Sequence, residues 1–598
     1  MRRSEPRPKR ANGRVAIHSD RHLLSVLGVF LKPYALHMVI VLLFLCVVTA
    51  MTALLPYIVQ LAIDGPIIER DLPGLYGYAA AYFIVVAILF VARFAHTYLL
   101  QSVGQSVLAN IRQAMFERMI RMELGHFQRT PVGHLVSRLT NDIEAVTELL
   151  STSIVMVVSH LITLIGLMLA MMLINWRLAL LVFGVLPLMM ILSIQFRRKI
   201  RFAASRFHRL VADYQGFLNE QFNGMLVVQL FNREAHSQAD FETINSGYRD
   251  LHKIIRDSYT RYSSKLQLLS AVGLAVLLYG GGRGVLAEWA TLGTLISFIQ
   301  YSRLSYEPIQ QLAEQFSQIQ QAFSAVERIV DVLELEPAIQ SPGRPIKLAA
   351  FSQSVQIHEM SFHYHPKKPV LNNVTLQIQS GQRIALVGET GVGKTTLASL
   401  IARMYDVKAG SICIDGVDLR EVSLEELPRY VSLVPQNPYI FDGTIADNLR
   451  LFDESIGEDQ IREAAQIACA EPFIQQLNGG YDHHLLPGGA DLSEGQRQLL
   501  ALARALVHSP NSILILDEAT SNIDTETDEL IQQGLERALR GRTSIIIAHR
   551  LSTIRNADRI LVMIEGEIAE DGSHEELMQL DGSYAELFQR QFATSAWH

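Results

Sequence analysis

Six long apolar runs, all within the first 308 residues of this 598-residue chain, constrain its fold more than any other feature. They lie at about residues 35–63, 75–102, 152–174, 178–196, 266–286 and 292–308. A helix needs about 20 mainly apolar residues to cross a bilayer. Lipid offers a backbone no hydrogen-bond partners, so spanning runs are expected to be α-helical. A single run of this kind could be a buried helix of a soluble domain. Six of them, several uncharged for most of their length, argue against that reading. The third and fourth runs are separated only by Asn175-Trp176-Arg177, which predicts a tight hairpin.

Basic residues set the expected orientation. Connections between runs that carry many Lys and Arg stay on the cytoplasmic side. The connections at 64–74, 175–177 and 283–292 carry few. The long connection at 197–265 opens with Arg197, Arg198, Lys199, Arg201, Arg206 and Arg209 and closes with Lys253, Arg256, Arg261 and Lys265. The stretch 1–14 is also rich in Arg and Lys and lacks the apolar core and cleavage site of a signal peptide. Both termini and both long connections are therefore expected in the cytoplasm. Residues 21–34 look amphipathic and suited to a membrane surface.

The long connections, 101–151 and 197–265, contain few glycines and almost no proline. The spanning helices are expected to continue through them. Each is interrupted once, at 128–133 and at 219–224, which suits a helical hairpin with a short cross-piece at its tip. Ionisable residues inside spans are costly. Arg93, His96, Arg303 and Glu307 either line a polar cavity or sit at the cytoplasmic interface, and sequence does not choose between these.

The second half reads as a soluble α/β domain. The strand-like run Arg383-Ile-Ala-Leu-Val387 leads into Gly388-Glu389-Thr390-Gly391-Val392-Gly393-Lys394-Thr395-Thr396, and a helical stretch follows. Glycines allow a tight turn whose N–H groups face phosphate oxygens, and the next helix adds its dipole. In this pattern Lys394 reaches the β- and γ-phosphates of a nucleotide and Thr395 holds Mg²⁺. Downstream, the apolar run 512–516 ends in Asp517 and Glu518. A carboxylate at the carboxyl edge of a parallel sheet can hold Mg²⁺ through water, and its neighbour can polarise the attacking water. Gln436 follows a short strand and could reach the metal, and His549 ends another strand, where a γ-phosphate contact is expected. Leu492-Ser493-Glu494-Gly495-Gln496 opens a helix, a second anion-binding arrangement. The net charge of −7 gives no case for nucleic acid binding. Cys46, Cys413 and Cys469 are scattered and imply no disulfide framework.

The order of the glycine loop, Gln436, Leu492 to Gln496, Asp517-Glu518, Ser521 to Asp524 and His549 resembles the ATP-binding cassette (ABC) proteins. A membrane domain first, with six spans and long connections, resembles their exporter-type half-transporters. The resemblance implies an α-helical membrane domain with six transmembrane helices, followed by an α/β P-loop ATPase domain that uses ATP and Mg²⁺. Expected boundaries are a tail at 1–20, a membrane domain at 21–332, a linker at 333–350 and the nucleotide-binding domain at 351–598. It further implies that Tyr364 stacks on adenine, that Ser521 and Asp524 form the D-loop, and that 128–142 and 219–224 carry coupling helices. Two halves would pair, with ATP between the glycine loop of one and the signature, Leu492 to Gln496, of the other.

Two departures stand out. The family signature is Leu-Ser-Gly-Gly-Gln, and Glu494 occupies its third position. A carboxylate beside a triphosphate is electrostatically unfavourable. Upstream, Pro487 stands where the family often has glutamate. This combination resembles the half of heterodimeric multidrug exporters that keeps the catalytic glutamate, here Glu518, while its partner keeps the intact signature. The implied function is export of amphipathic drugs or lipids across the bacterial inner membrane by a pair of non-identical halves. The competing function class is a membrane-anchored ATPase that signals to a partner without moving cargo.

Overall fold

A computed structural model of the chain describes residues 20–149, 154–517, 525–548 and 550–592. The basic tail therefore lies outside the described residues. Two compact units are formed. The first runs to Ile120 and resumes over Val132–Leu335; the second combines Arg121–Pro131 with the chain from Glu336 onward.

The first unit is all helix. After α1 (Asp20–Leu31) come α2 (Ala35–Ala62) and α3 (Leu72–Ile120). Next are α5 (Ile154–Ile174), α6 (Trp176–Asn223), α7 (Met225–Leu230), α8 (Glu234–Leu286) and α9 (Leu292–Leu333). The helix α4 (Leu124–Arg129) falls in the second unit. At 48 and 53 residues, α6 and α8 extend roughly 70–80 Å at 1.5 Å per residue, more than twice a hydrocarbon core. The spans thus do continue into the long connections.

The hairpin at 175–177 forms because Asn175 caps α6. Its side-chain oxygen accepts from the amides of Arg177 (3.1 Å) and Leu178 (3.2 Å). At α9, Thr291 is the N-cap, and Asp64 accepts from the Gly293 amide at 2.8 Å.

Among the described residues, five helical stretches are long and apolar enough to cross a bilayer by themselves. The sixth expected span, the start of α9, falls short because it carries polar side chains. Those side chains face the bundle. Ser297, Ser302 and Ser305 are buried, and the Tyr301 hydroxyl donates to the Ala53 carbonyl at 2.5 Å. Of the ionisable residues within spans, Arg303 and Glu307 line a cavity with Met189, Leu266, Gln267 and Tyr306. His96 instead bonds the Val41 carbonyl through Nδ1 at 3.1 Å, and Arg93 is exposed on α3.

The second unit holds a six-stranded sheet and a four-stranded antiparallel sheet. The strands are β1 (Ser354–His365), β2 (Lys368–Gln379), β3 (Arg383–Gly388), β4 (Ala409–Ile414), β5 (Val417–Asp418) and β6 (Val431–Val434). They continue as β7 (Gly443–Thr444), β8 (His484–Leu485), β9 (Ile513–Asp517), β10 (Ser544–Ile547), β11 (Arg559–Ile564) and β12 (Glu567–Gly572). The antiparallel sheet has order β2-β1-β4-β5, and the larger has order β12-β11-β3-β10-β9-β6. In the larger sheet every neighbouring pair is parallel except β11 with β12. Its parallel strands are short and mainly apolar, as expected for a sheet covered on both faces. Ile384, Ala385 and Leu386 of β3 are fully buried.

The stretch expected as a linker has no regular structure but is held within the second unit. The Ile346 amide bonds the Glu421 carbonyl at 2.8 Å, and the Tyr430 hydroxyl donates to the Leu348 carbonyl at 2.6 Å.

One ion pair ties the C-terminal part of α9 to the rest of the first unit. Arg328 donates through Nε and a terminal nitrogen to the two oxygens of buried Asp142, at 2.8 and 2.5 Å. Around it Ile143, Val146, Val326 and Ile329 are fully buried. Arg328→Ala leaves a buried carboxylate unpaired. We predict a loss of about 2 kcal/mol, below the roughly 3–5 of a fully buried pair because Arg328 is half-exposed. Thermal denaturation in detergent should rank Arg328→Ala as more damaging than Asp142→Asn; the reverse order refutes this account.

Candidate functional site

The parallel strands of the large sheet deliver their carboxyl ends to one edge. Ile547 is paired with Asp517 and with Leu386, and Val434 with Leu516. The chain leaving each strand there carries the residues that sequence singled out. β3 runs into the glycine loop, β6 is followed two residues later by exposed Gln436, and β9 ends at Asp517. Glu518, Ser521, Asp524 and His549 lie outside the described residues.

The loop turns on glycines with left-handed backbone, φ +90° at Gly391 and +113° at Gly393. Gly393 also lacks room for a side chain. A Cβ there would come within 2.7 Å of Leu371 Cδ2 and 3.1 Å of the Val370 carbonyl. Glu389, Thr390 and Val392 fill the turn, and α10 (Lys394–Ile401) begins directly after it. Its first residue, Lys394, curls back into the loop. Nζ donates to the carbonyls of Gly388 (2.7 Å) and Glu389 (2.9 Å). Burial lowers the pKa of this ammonium, and the Asp517 carboxylate opposes the shift. The Thr395 hydroxyl donates to Asp517 Oδ2 at 3.2 Å. A hydroxyl and a carboxylate meeting beside an anion-binding turn match the oxygen-donor chemistry of Mg²⁺.

Tyr364, near the end of β1, comes to the same place. Its hydroxyl lies 3.2 Å from Thr396 Oγ1, and 42% of the residue is exposed. The signature residues form a separate feature. Ser493 caps α11 (Glu494–His508) in a reciprocal box with Gln496, at 3.2 and 2.9 Å. Leu492 and Gly495 are buried, and Glu494 occupies the first helical position. Among the described residues no hydrogen bond joins 492–496 to the glycine loop. Just before it, Pro487 is exposed and opens a turn with φ +74° at Gly488 and +65° at Gly489.

Two supporting residues escaped sequence reasoning. Arg504, on α11, donates to the carbonyls of Asn448 (2.8 Å) and Tyr439 (2.9 Å). Asn448 is fully buried and bonds the Phe441 amide and carbonyl. Together they pin the irregular stretch after Gln436. An arginine inside the otherwise apolar run 499–507 was the available signal.

Comparison with known proteins agrees with this geometry. Residues 38–309 match the family model for the ABC transporter transmembrane region, and 371–521 match the model for the ABC transporter. The ATP-dependent lipid A-core flippase of Syntrophus aciditrophicus is 34% identical over 98% of this chain and 96% of its own length. A probable multidrug resistance ABC transporter ATP-binding/permease protein of Bacillus subtilis, YheH, is 34% identical over 83% of this chain and 74% of its own. A putative ABC transporter ATP-binding protein of Streptococcus pneumoniae, exp8, is 33% identical over 96% and 98%.

The chain belongs to the ABC transporters. With one membrane region and one cassette it is an exporter-type half-transporter, and the cassette makes it an ATP-hydrolysing one. The transporter's glycine loop is therefore expected to be sensitive to small changes. Lys394→Met removes two loop bonds and a charge, and ATP affinity should fall about 10- to 100-fold, the scale of charge-assisted hydrogen bonds. Gly393→Ala should weaken binding by at least about tenfold through backbone strain. Titration with a fluorescent ATP analogue measures both, and unchanged affinity in either variant contradicts the geometry above.

Proposed function

We propose that this chain is one half of a dimeric ATP-driven exporter of amphipathic compounds, lipids or drug-like molecules, in a bacterial inner membrane. The observation that carries the dimer is the separation of the two phosphate-binding features. Lys394 and Thr395 stand at the sheet edge, while Ser493 to Gln496 open a helix that no hydrogen bond links to them among the described residues. A second cassette would bring its signature to this loop. The cross-piece α7 supports a partner as well. Leu226, Val227, Leu230 and the following Phe231 are 57–72% exposed, an apolar surface suited to burial against another chain.

In this reading Tyr364 stacks on adenine, Lys394 and the loop amides hold the phosphates, and Gln436 and Glu518 orient the attacking water. His549 contacts the γ-phosphate, and Ser521 and Asp524 face the partner cassette. Thr395, Gln436 and Asp517 would hold Mg²⁺, which supplies charge neutralisation at the phosphate oxygens. ATP binding closes the pair and hydrolysis reopens it. Work is done only if cargo binds the two states differently. The cargo class rests on relatives named as lipid A-core flippases and as a probable multidrug transporter. The cavity beside Arg303 and Glu307, walled by Met189 and Leu266, offers charge and apolar surface together.

We further propose a non-identical partner. Glu494 and Pro487 alter this chain's signature side, while Lys394, Thr395, Asp517 and Glu518 are intact. Glu518→Gln should lower ATPase activity by about 10²-fold or more, as expected for removal of a general base, with ATP still bound. Affinity capture of the tagged chain from its native membrane should bring down a second half with an intact signature. The purified chain alone should then show little substrate-stimulated hydrolysis. Full stimulated activity of a homodimer sinks the asymmetric reading.

A further inference from the structure

The segment Arg121–Pro131 continues directly from α3 yet belongs to the cassette unit. It carries the short helix α4, which rests on Tyr405, a residue outside every motif described above. Gly125 is buried there. A Cβ on it would lie 2.9 Å from Tyr405 Cε1, so only glycine lets the α4 backbone approach the ring this closely. One turn along, the Tyr405 hydroxyl donates to Gln128 Oε1 at 2.6 Å. Ring and hydroxyl thus hold the same face of α4.

The other side of Tyr405 leads to the nucleotide site. Its ring stands edge-on to Tyr364, with centroids 5.3 Å apart and planes at 84°. Phe362 completes the cluster, edge-on to Tyr364 at 5.0 Å and tilted to Tyr405 at 5.7 Å. Edge-to-face pairs favour particular orientations, so fixing one ring restricts the next. Tyr364 in turn reaches Thr396, beside the glycine loop. Burial raises the Tyr405 phenol pKa, with Tyr364 and Glu123 adding to the shift and Arg129 opposing it. The hydroxyl therefore remains a donor at neutral pH.

We propose that Tyr405 is a positioning residue that links the orientation of Tyr364 to α4, so that the cross-piece responds to the adenine ring and not only to the phosphates. This rests on the reading of Tyr364 as the adenine-stacking residue. When a base settles on Tyr364, the ring loses freedom, Tyr405 follows, and the Gln128 bond orders α4. Because α4 follows α3 in the chain, base occupancy is registered in the segment into which α3 leads. An ordinary packing role for Tyr405 would need its ring but not its hydroxyl, which makes the two roles separable.

The test uses the full-length chain in lipid nanodiscs and amide hydrogen exchange. A non-hydrolysable ATP analogue with Mg²⁺ should slow exchange in both 388–396 and 121–131. Inorganic tripolyphosphate with Mg²⁺ should slow only 388–396. Tyr405→Phe keeps the ring, so the analogue should still bind and protect the loop. Its slowing of 121–131 should shrink about fivefold, the worth of one neutral hydrogen bond. Gln128→Ala should do the same from the other side of that bond. The proposal is overturned if both variants keep the full response, or if tripolyphosphate slows 121–131 as much as the analogue does. Tyr364→Ala separates the two layers. Unchanged affinity for the analogue in that variant removes the stacking reading itself, whereas weakened affinity alongside a normal Tyr405→Phe response removes only the link.

Discussion

The parallel register of β3, β10 and β9 is the constraint on which the cassette depends. Ile547 stands level with both Leu386 and Asp517, so the glycine loop and the acid leave the sheet at the same height. That alignment lets the Thr395 hydroxyl and the Asp517 carboxylate meet although 122 positions separate them in the chain. The strands can hold this register because they are short and apolar. Ile384, Leu386, Ile515 and Ile547 are almost wholly buried, and slipping one residue would exchange which side chains face each layer. Chemistry at the edge is thus set by packing below it.

The membrane unit solves a different problem. Its backbone groups must be satisfied within helices, which leaves side chains to distinguish one span from another. α9 is distinguished by polarity. Gln60 and Thr294, Tyr301 and the Ala53 carbonyl, and Asp64 and the Gly293 amide are bonded between α9 and the chain of α2 and its continuation. A helix that makes such bonds needs neighbours to be stable in lipid. Its opposite consequence is the cavity at Arg303 and Glu307, where the same helix presents charge on a wall shared with apolar side chains.

Features carried by local chemistry were legible in sequence. The glycine loop announces its own turn because left-handed residues and a following helix are written into adjacent positions. Asn175 announces the hairpin by standing alone between two apolar runs. Features carried by packing were not. The first interruption was expected at 128–133, and Pro131 does force the extended backbone seen at Thr130. The short helix there is Leu124–Arg129, which starts ahead of the interruption and runs two residues into it, and the second is Met225–Leu230, just after Gly224. Each is helical in composition, so nothing local separates it from the long helix next to it. The linker looked free because it is rich in proline and glycine, yet its bonds go to Glu421, Tyr430 and Arg403, far along the chain. Tyr405 had no signal at all, since its meaning lies in two rings and a glutamine brought together by folding.

Glu494 shows how one position can satisfy folding and trouble function. It follows the cap Ser493 and begins α11, where unpaired amides and the helix dipole favour a carboxylate. Within a single cassette the substitution is therefore comfortable, and the capping box around it is intact. In the proposed pairing, the same amides would be offered to the triphosphate of a facing cassette. In that pairing a carboxylate at this position would stand beside the phosphate and repel its charge. Glu494 beside an intact Lys394, Thr395 and Asp517 is the combination on which the proposed non-identical pairing rests.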